Sequence, residues 1–395
     1  MKKEKVAFVC QRYGLEVNGG SELYCRQLAE KLTDHYDVEV YTTCAIDYVT
    51  WKNEYQPGME EIHGVTVHRF LNVRQRDQRS FNQISQCVFA NAAHSDGEEN
   101  RWIEEQGPVC PELLDELAKR HLEYKAVIFM TYLYYLTAKG LPMGFENALL
   151  IPTVHDEPPV YLRYYDRVFS AAKGIIWNTP EERAFAERRF PEIRNTPGIL
   201  AGVGVDVPEG PLPDIPESLW GTPYITYAGR IDESKGCGEM FRYFEEYKRQ
   251  YGGALKLVLM GKAVMDVPKH PDILSLGFVS DEMKFAVMAS AKALVLFSQF
   301  ESLSMVVLES MIMGRPVLVN GKCEVLKGHC TRSNAGLYFT SYQEFAGALN
   351  YLMTHPAQYG AMRENAVKYV EDNYQWEGII ERITGFVNKV SQRGL

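Results

Sequence analysis

The stretch Phe300-Glu301-Ser302-Leu303-Ser304-Met305-Val306-Val307-Leu308-Glu309-Ser310-Met311-Ile312-Met313-Gly314-Arg315-Pro316-Val317 decides the fold of this chain. It reads as strand end, loop, helix, turn and new strand. The short apolar run Ala293 to Phe297 just before it reads as a buried parallel strand. A helix is expected from about Ser304, with Val307, Leu308 and Met311 on its apolar face. Gly314 offers a left-handed stop, and Pro316 forbids the helix to continue.

Two carboxylates lie in this stretch. Glu301 precedes the helix and Glu309 sits on it, roughly two turns further along. The first N–H groups of a helix lack partners and the dipole there favours an anion, so the amides near Leu303 to Val306 suit a phosphate. Carboxylates only accept hydrogen bonds, which suits the vicinal hydroxyls of a sugar and a ribose on either side of a diphosphate. Each such charge-assisted bond is worth about 1.5–3 kcal/mol. A core helix with two solvated glutamates is the competing reading of the same residues.

Outward from there, the totals bound the answer. The chain has 395 residues with 46% hydrophobic content, enough for two or three domains with real cores. A net charge of −9 argues against nucleic acid as a partner. Met1 to Lys5 is basic, but the apolar run Val6 to Cys10 reads as a strand rather than a signal peptide. No apolar run approaches the ~18 residues of a membrane span. The cysteines at 10, 25, 44, 87, 110, 237, 323 and 330 form no Cys-x-x-Cys pair and read as reduced, mostly buried thiols of a cytoplasmic protein.

In the first half, strand Val6–Cys10, the loop with Asn18-Gly19-Gly20 and a helix from about Ser21 to Leu32 resemble the opening of a nucleotide-binding α/β unit, with Ser21 as N-cap. A plain turn would explain the two glycines equally well. Strands are expected at Val38–Thr42 and Val65–Phe70, separated by a polar excursion with exposed aromatics Tyr48, Trp51 and Tyr55. Arg74, Arg76 and Arg79 form a basic cluster that reads either as a solvated loop or as a surface for an anionic acceptor or a membrane. After a helix at Pro111–Arg120, strands are expected at Ala126–Met130, Leu149–Val154 and Gly174–Asn178. His155-Asp156 follows one of them at its carboxyl end, where open parallel sheets place ligands, and Asp156 is positioned to orient the imidazole. Tyr132, Tyr161 and Tyr165 read as sugar-stacking or as packing residues.

Pro208 to Pro216 carries four prolines and reads as an interdomain linker, 207–220 in all. A second α/β pattern follows. Strand Tyr224–Ala228 ends in Gly229-Arg230 with Lys235-Gly236 in the same loop, and two fixed cations suit a diphosphate. Strands Leu255–Met260 and Ile273–Gly277, a helix capped by Ser280, a strand at Val317–Val319, helices at Ser341–Met353 and Pro356–Glu371, and an amphipathic segment Trp376–Val390 complete the chain.

The ordered set Asn18-Gly19-Gly20-Ser21-Glu22, His155-Asp156, Gly204-Val205-Asp206, Gly229-Arg230 with Lys235-Gly236, and Glu301-x7-Glu309 with Gly314-Arg315-Pro316-Val317 resembles the retaining glycosyltransferases of family four. That resemblance implies an α/β GT-B architecture: two facing Rossmann-like domains with mainly parallel sheets and a ligand cleft between them. It assigns 1–206 plus about 375–395 to an acceptor-side domain and 221–374 to a nucleotide-sugar domain. It implies that Arg230 and Lys235 hold the donor diphosphate, that Glu301 binds the transferred sugar, and that the amides of Ser302, Leu303, Ser304, Met305 and Val306 approach sugar and phosphate. Glu309 would take the ribose hydroxyls, the base would lie near Phe278 and Val279, Gly19 and Gly20 would back the phosphates, and His155 would lie near the reacting sugar.

The resemblance further implies transfer with retention by front-face attack, no metal or other cofactor, and a carbohydrate or lipid-linked acceptor. Tyr132, His155, Asp156, Arg74 and Arg76 are the acceptor-side candidates, with peripheral contact at the inner membrane face through the arginines. Many relatives read Glu-Gly-Phe-Gly where this chain has Glu301-Ser302-Leu303-Ser304, so donor identity does not carry over. The alternatives are a GT-B epimerase or phosphorylase and a non-catalytic nucleotide-sugar-binding subunit.

Overall fold

The computed structural model describes residues 3–90 and 93–392. Met1 and Lys2 of the basic start, and residues 393–395 of the assigned C-terminal return, lie outside the described residues. The chain divides into two units, one up to Val203 and again from Trp376 onward, the other Gly204–Gln375.

The first unit runs β1 (Lys5–Val9), α1 (Gly20–Leu32), β2 (Asp37–Thr43), β3 (Gly58–Ile62), β4 (Val65–Phe70), α2 (Gln78–Ala90), α3 (Asp96–Gln106), α4 (Pro111–Arg120), β5 (Ala126–Met130), α5 (Tyr135–Gly140), β6 (Ala148–Ile151), α6 (Tyr164–Ala171), β7 (Gly174–Trp177), α7 (Pro180–Arg189) and β8 (Gly198–Leu200). Its sheet has the order β3-β4-β2-β1-β5-β6-β7-β8, and only the β3–β4 pair is antiparallel. Central strands are apolar on both faces because helices cover both: Val6 to Val9 and Val127 to Phe129 have no exposed surface. The strand order reverses between β1 and β5. That is the switch point where loops diverge and leave a crevice at the carboxyl ends.

The second unit runs β9 (Tyr224–Ala228), α8 (Cys237–Tyr251), β10 (Lys256–Met260), β11 (Ile273–Ser275), α9 (Asp281–Ser290), β12 (Leu294–Leu296), α10 (Met305–Ile312), β13 (Val317–Asn320), α11 (Glu324–Ser333), β14 (Gly336–Phe339), α12 (Tyr342–Thr354) and α13 (Pro356–Asn373). All six strands are parallel, in the order β11-β10-β9-β12-β13-β14, with the reversal between β9 and β12. The last helix, α14 (Trp376–Ser391), belongs to the first unit. Its buried face includes Ile379, Ile383 and Phe386, and the Phe386 ring fills the space that a side chain at Gly174 would need.

Several local expectations change. Trp51 is not exposed; it is buried, and its indole N–H donates to the Gln106 carbonyl at 2.7 Å. Ser21 does not cap α1: Gly19 holds the cap position without a side-chain bond, and the Ser21 hydroxyl donates instead to Glu22. Edge strand β3, strand β14 and helices α2, α3, α5, α6, α8 and α11 are additional elements. By contrast Ser280 caps α9 as the sequence indicates, and Ser341, expected inside its helix, caps α12.

Candidate functional site

In the second unit, the loops after β9 and β12 flank the switch point. Their shape depends on glycines. A side chain at Gly261 would place its Cβ 1.9 Å from the Gly229 carbonyl oxygen, so the turns after β9 and β10 touch backbone to backbone. Gly236 has φ +72°, and a Cβ there would lie 2.5 Å from the Phe297 carbonyl oxygen. The β9 loop is therefore pressed onto the end of the β12 strand region. Asp232 fixes its middle by accepting from the Ser234 amide at 2.8 Å.

This packing brings Lys235 to Glu301: Nζ lies 2.9 Å from Oε1. Arg230 reaches Asp232 instead, Nε to Oδ2 at 2.9 Å. Burial works to raise the Asp232 carboxyl, but the Ser234 bonds and Arg230 outweigh it and hold the group below its ordinary value.

Beyond Glu301 the chain enters α10 through Ser304, whose φ of +68° is left-handed. A non-glycine residue there stores roughly 1–3 kcal/mol of strain. No side chain caps this helix start. Leu303 is buried, and its carbonyl accepts from His329 Nε2 at 2.7 Å, on α11. Because a carbonyl cannot donate, Nε2 carries the proton, and Nδ1 accepts from the Tyr369 hydroxyl at 3.0 Å. Burial, aided by Arg332, pushes the His329 pKa down to about 3, so the ring is neutral and its bond pattern is fixed.

Glu309 lies on the buried face of α10. Its Oε1 accepts from Lys284 Nζ at 2.9 Å, from α9. Burial pushes the Glu309 carboxyl above its ordinary value, and Lys284 opposes that. Among the described residues, Glu309 Oε2, Ser304 Oγ and Ser298 Oγ are buried without a hydrogen-bond partner. Leaving one such group unsatisfied costs about 1–3 kcal/mol, and three of them fall within one loop-and-helix segment. Phe278, after the left-handed Gly277, is 74% exposed, and Val279 beside it is half-buried.

In the first unit, the β1 loop is shaped by a pair that the sequence reading missed. Glu22 Oε1 accepts from Arg12 at 2.6 Å and from Gln11 at 2.8 Å, and Arg12 also donates to the Asn18 and Ile46 carbonyls. A Cβ at Gly19 would lie 2.2 Å from Glu22 Oε2, so the pair itself demands glycine there, whereas the space over Gly20 is open. The signal was a carboxylate in the first turn of α1 with an amide and a guanidinium, Gln11 and Arg12, just after β1.

At the ends of β5 and β6, Thr131 and Thr153 take left-handed φ values of +63° and +48°, unusual for β-branched residues. They are joined by a hydroxyl bond of 3.2 Å. His155 follows. Its carboxylate neighbour is Glu157, with Nδ1 to Oε1 at 3.5 Å, and not Asp156, whose Oδ1 accepts from the Tyr161 hydroxyl at 2.6 Å. Tyr132 is buried and donates to Glu157 at 2.7 Å, and Tyr165 is buried too, so neither ring offers a face for stacking; Tyr161 is 55% exposed. Glu182, the other residue missed, accepts from the Val154 and Asn178 amides at 2.8 and 2.7 Å and ties the ends of β6 and β7 together. Burial raises its pKa to about 8.

The arginine cluster is not a patch of three cations. The Arg76 guanidinium turns inward over the Trp51 ring, 5.0 Å from its centroid, and donates to the Tyr48 and Gln106 carbonyls. The backbone carbonyls it ties down explain why it leaves the surface. Arg74 and Arg79 are exposed. Among the described residues, no three His, Cys, Asp or Glu side chains gather as a metal site, and no helix is long and apolar enough to cross a membrane.

Comparison with known proteins adds three likenesses. Alpha-D-kanosaminyltransferase of Streptomyces kanamyceticus is 26% identical over 186 residues, 42% of this chain and 46% of that protein. The chain spans less than half the length of the curated relatives it matches. Among solved structures, sucrose-phosphate synthase of Thermosynechococcus elongatus superposes with a TM-score of 0.69 at 16% identity, covering 98% of this chain and 99% of that one. HepE of Anabaena, solved in complex with UDP and glucose, gives 0.66 at 15% identity over 98% and 100%. The chain thus has the GT-B fold, and its residues 222–355 match the family Glycosyl transferases group 1.

Proposed function

We propose that this protein is a retaining glycosyltransferase that moves a sugar from a nucleotide-sugar donor to a hydroxyl of a carbohydrate or lipid-linked acceptor. One observation carries the reading: the Glu301–Glu309 segment, at the switch point of the second unit, pairs each glutamate with a lysine and leaves buried polar atoms open. The family match over 222–355 and a fold neighbour solved with UDP and glucose support it.

In this reading Arg230 and Lys235 take the diphosphate, Arg230 as a planar fork and Lys235 as a point charge. They stabilise charge that develops on the leaving nucleoside diphosphate, without a metal. The amides from Ser302 to Val306 approach the sugar and phosphate at the uncapped start of α10. Glu301 accepts from sugar hydroxyls and Glu309 from ribose hydroxyls; Phe278 and Val279 border the base. Gly20 supplies an open approach to backbone in the first unit, and His155 is the first-unit group assigned to the sugar. The acceptor hydroxyl attacks on the face the leaving group departs from, and the departing phosphate oxygen takes its proton, which preserves the anomeric configuration. No side chain is then required as a covalent nucleophile.

The test is turnover with chelator present. Purified protein is offered UDP-, GDP- and ADP-sugars with candidate acceptors, and release of nucleoside diphosphate and product stereochemistry are followed. Acceptor-dependent release with a retained anomer supports the proposal. Donor consumed without acceptor points to an epimerase, and binding without turnover to a non-catalytic subunit; either sinks it.

A further inference from the structure

The donor reading leaves one cation of the site unused. Lys284, on α9, places Nζ 2.9 Å from Glu309 Oε1 and 2.9 Å from Asp281 Oδ1. The lysine and glutamate side chains are 18% and 10% exposed, so this pair is largely shielded from water. A pair that served packing alone would satisfy both carboxylate oxygens, because a half-satisfied buried carboxylate is costly. Here Oε1 is held and Oε2 is buried without a partner among the described residues.

Resting on the donor assignment above, we propose that Lys284 is a positioning residue that fixes Glu309 through Oε1 and thereby presents Oε2 as the acceptor for a ribose hydroxyl of the nucleotide. Charge and geometry both follow from the contact. A monodentate lysine on one oxygen leaves the other lone pairs free in a fixed direction. It also offsets the burial that would otherwise favour a neutral Glu309 carboxyl. A neutral carboxyl would spend one oxygen as a donor and lose the stronger, charge-assisted bond.

The surroundings isolate this effect. The charged groups acting on Glu309 are Lys284 and Asp281, both on α9. β13 contributes Val317 to Asn320, none of them titratable. On α13, Arg363 is engaged with the Gly314 carbonyl, past the far end of α10.

The experiment measures binding of UDP, GDP and ADP, and of the 2′,3′-dideoxy form of the tightest of them, to wild type, Lys284→Met and Lys284→Arg, at pH 6.5 and 8.5. Wild type should prefer the ribose form at least tenfold. Lys284→Met should bind it about tenfold more weakly at pH 6.5 and lose most of that preference, with the deficit smaller at the higher pH, where ionised Glu309 is favoured. Lys284→Arg should restore both affinity and preference, which a loss of packing in the Met variant would not predict to depend on charge. If Lys284→Met keeps the wild-type affinity and preference, Lys284 has no such role while the donor site stands. If wild type binds none of the three diphosphates, the donor reading falls and takes this inference with it.

Discussion

His329 gives a prediction whose size follows from its surroundings. The ring is fully enclosed, with Nε2 on the Leu303 carbonyl and Nδ1 on the Tyr369 hydroxyl, and its folded pKa is pushed down to about 3. In the unfolded chain the same imidazole titrates near 6.5. Below pH 6.5 the unfolded state therefore binds a proton that the folded state refuses, and stability falls as pH falls, across the window from about 6.5 down to 3. At pH 5 the loss from this one group is about 2 kcal/mol, and at pH 7 it is close to zero. His329→Gln removes the titration while keeping a side-chain donor. Urea unfolding of both proteins by circular dichroism at pH 7 and pH 5 checks this. The variant should be less stable at pH 7, by roughly 1–3 kcal/mol for imperfectly replaced buried bonds. The deficit should shrink by about 2 kcal/mol at pH 5. A deficit of the same size at both pH values would refute the neutral, doubly bonded histidine, and with it this account of how Leu303 is held.

Other perturbations read other parts of the site. Glu182→Gln should gain on wild type as pH rises from about 5 to 8, because the native carboxyl, with its pKa raised to about 8, keeps a proton that the unfolded chain has already released; parallel unfolding curves at the two pH values measure this. Gly261→Ala should cost more than 3 kcal/mol or abolish folding, since its Cβ meets the Gly229 carbonyl oxygen at 1.9 Å and φ is +140°; the melting temperature reports it. Lys235→Met should leave the melting temperature within a few degrees, as its pair is partly exposed, yet lower sugar transfer by 100-fold or more; equal turnover would remove Lys235 from the site.

What was legible in the sequence follows its physics. The continuous apolar strands, Ser280 as a cap and Gly314 as a stop announce themselves, because burial on both faces and helix ends each demand particular residue types. The α3 start was equally legible in Ser95-x-x-Glu98, a capping box that forms in the structure, but the acidic, weakly apolar helix behind it offers little periodicity. Helix α11 escapes for the opposite reason. Gly328, His329, Cys330 and Thr331 are poor helix formers, and tertiary packing holds them helical. Within the site, the residue types at Arg230, Lys235, Glu301 and Glu309 were readable, yet their pairings were not. Nothing in spacing says that Lys235 meets Glu301 while Arg230 meets Asp232. His155 misled in the same way: its sequence neighbour Asp156 points elsewhere, because adjacent residues diverge and Glu157 returns to the same side.

The two lysine–glutamate pairs on the Glu301–Glu309 segment differ in one respect that bears on their use. Lys235 and Glu301 have side chains 35% and 16% exposed; Lys284 and Glu309 are 18% and 10% exposed. A pair in contact with water is worth about 0–1 kcal/mol, so an arriving diphosphate can draw Lys235 away at small cost. Breaking a buried pair costs about 3–5 kcal/mol, so Lys284 does not leave Glu309. The backbone under Lys235 lies close to Phe297, since a Cβ at Gly236 would meet the Phe297 carbonyl oxygen at 2.5 Å. On the proposed reading, donor binding therefore does two different things with similar residues. It releases Glu301 to accept from the sugar at the moment the phosphates take its lysine, and it meets Glu309 already anchored. On that reading the empty site holds Glu301 on Lys235, and the loaded site frees it to accept from the sugar.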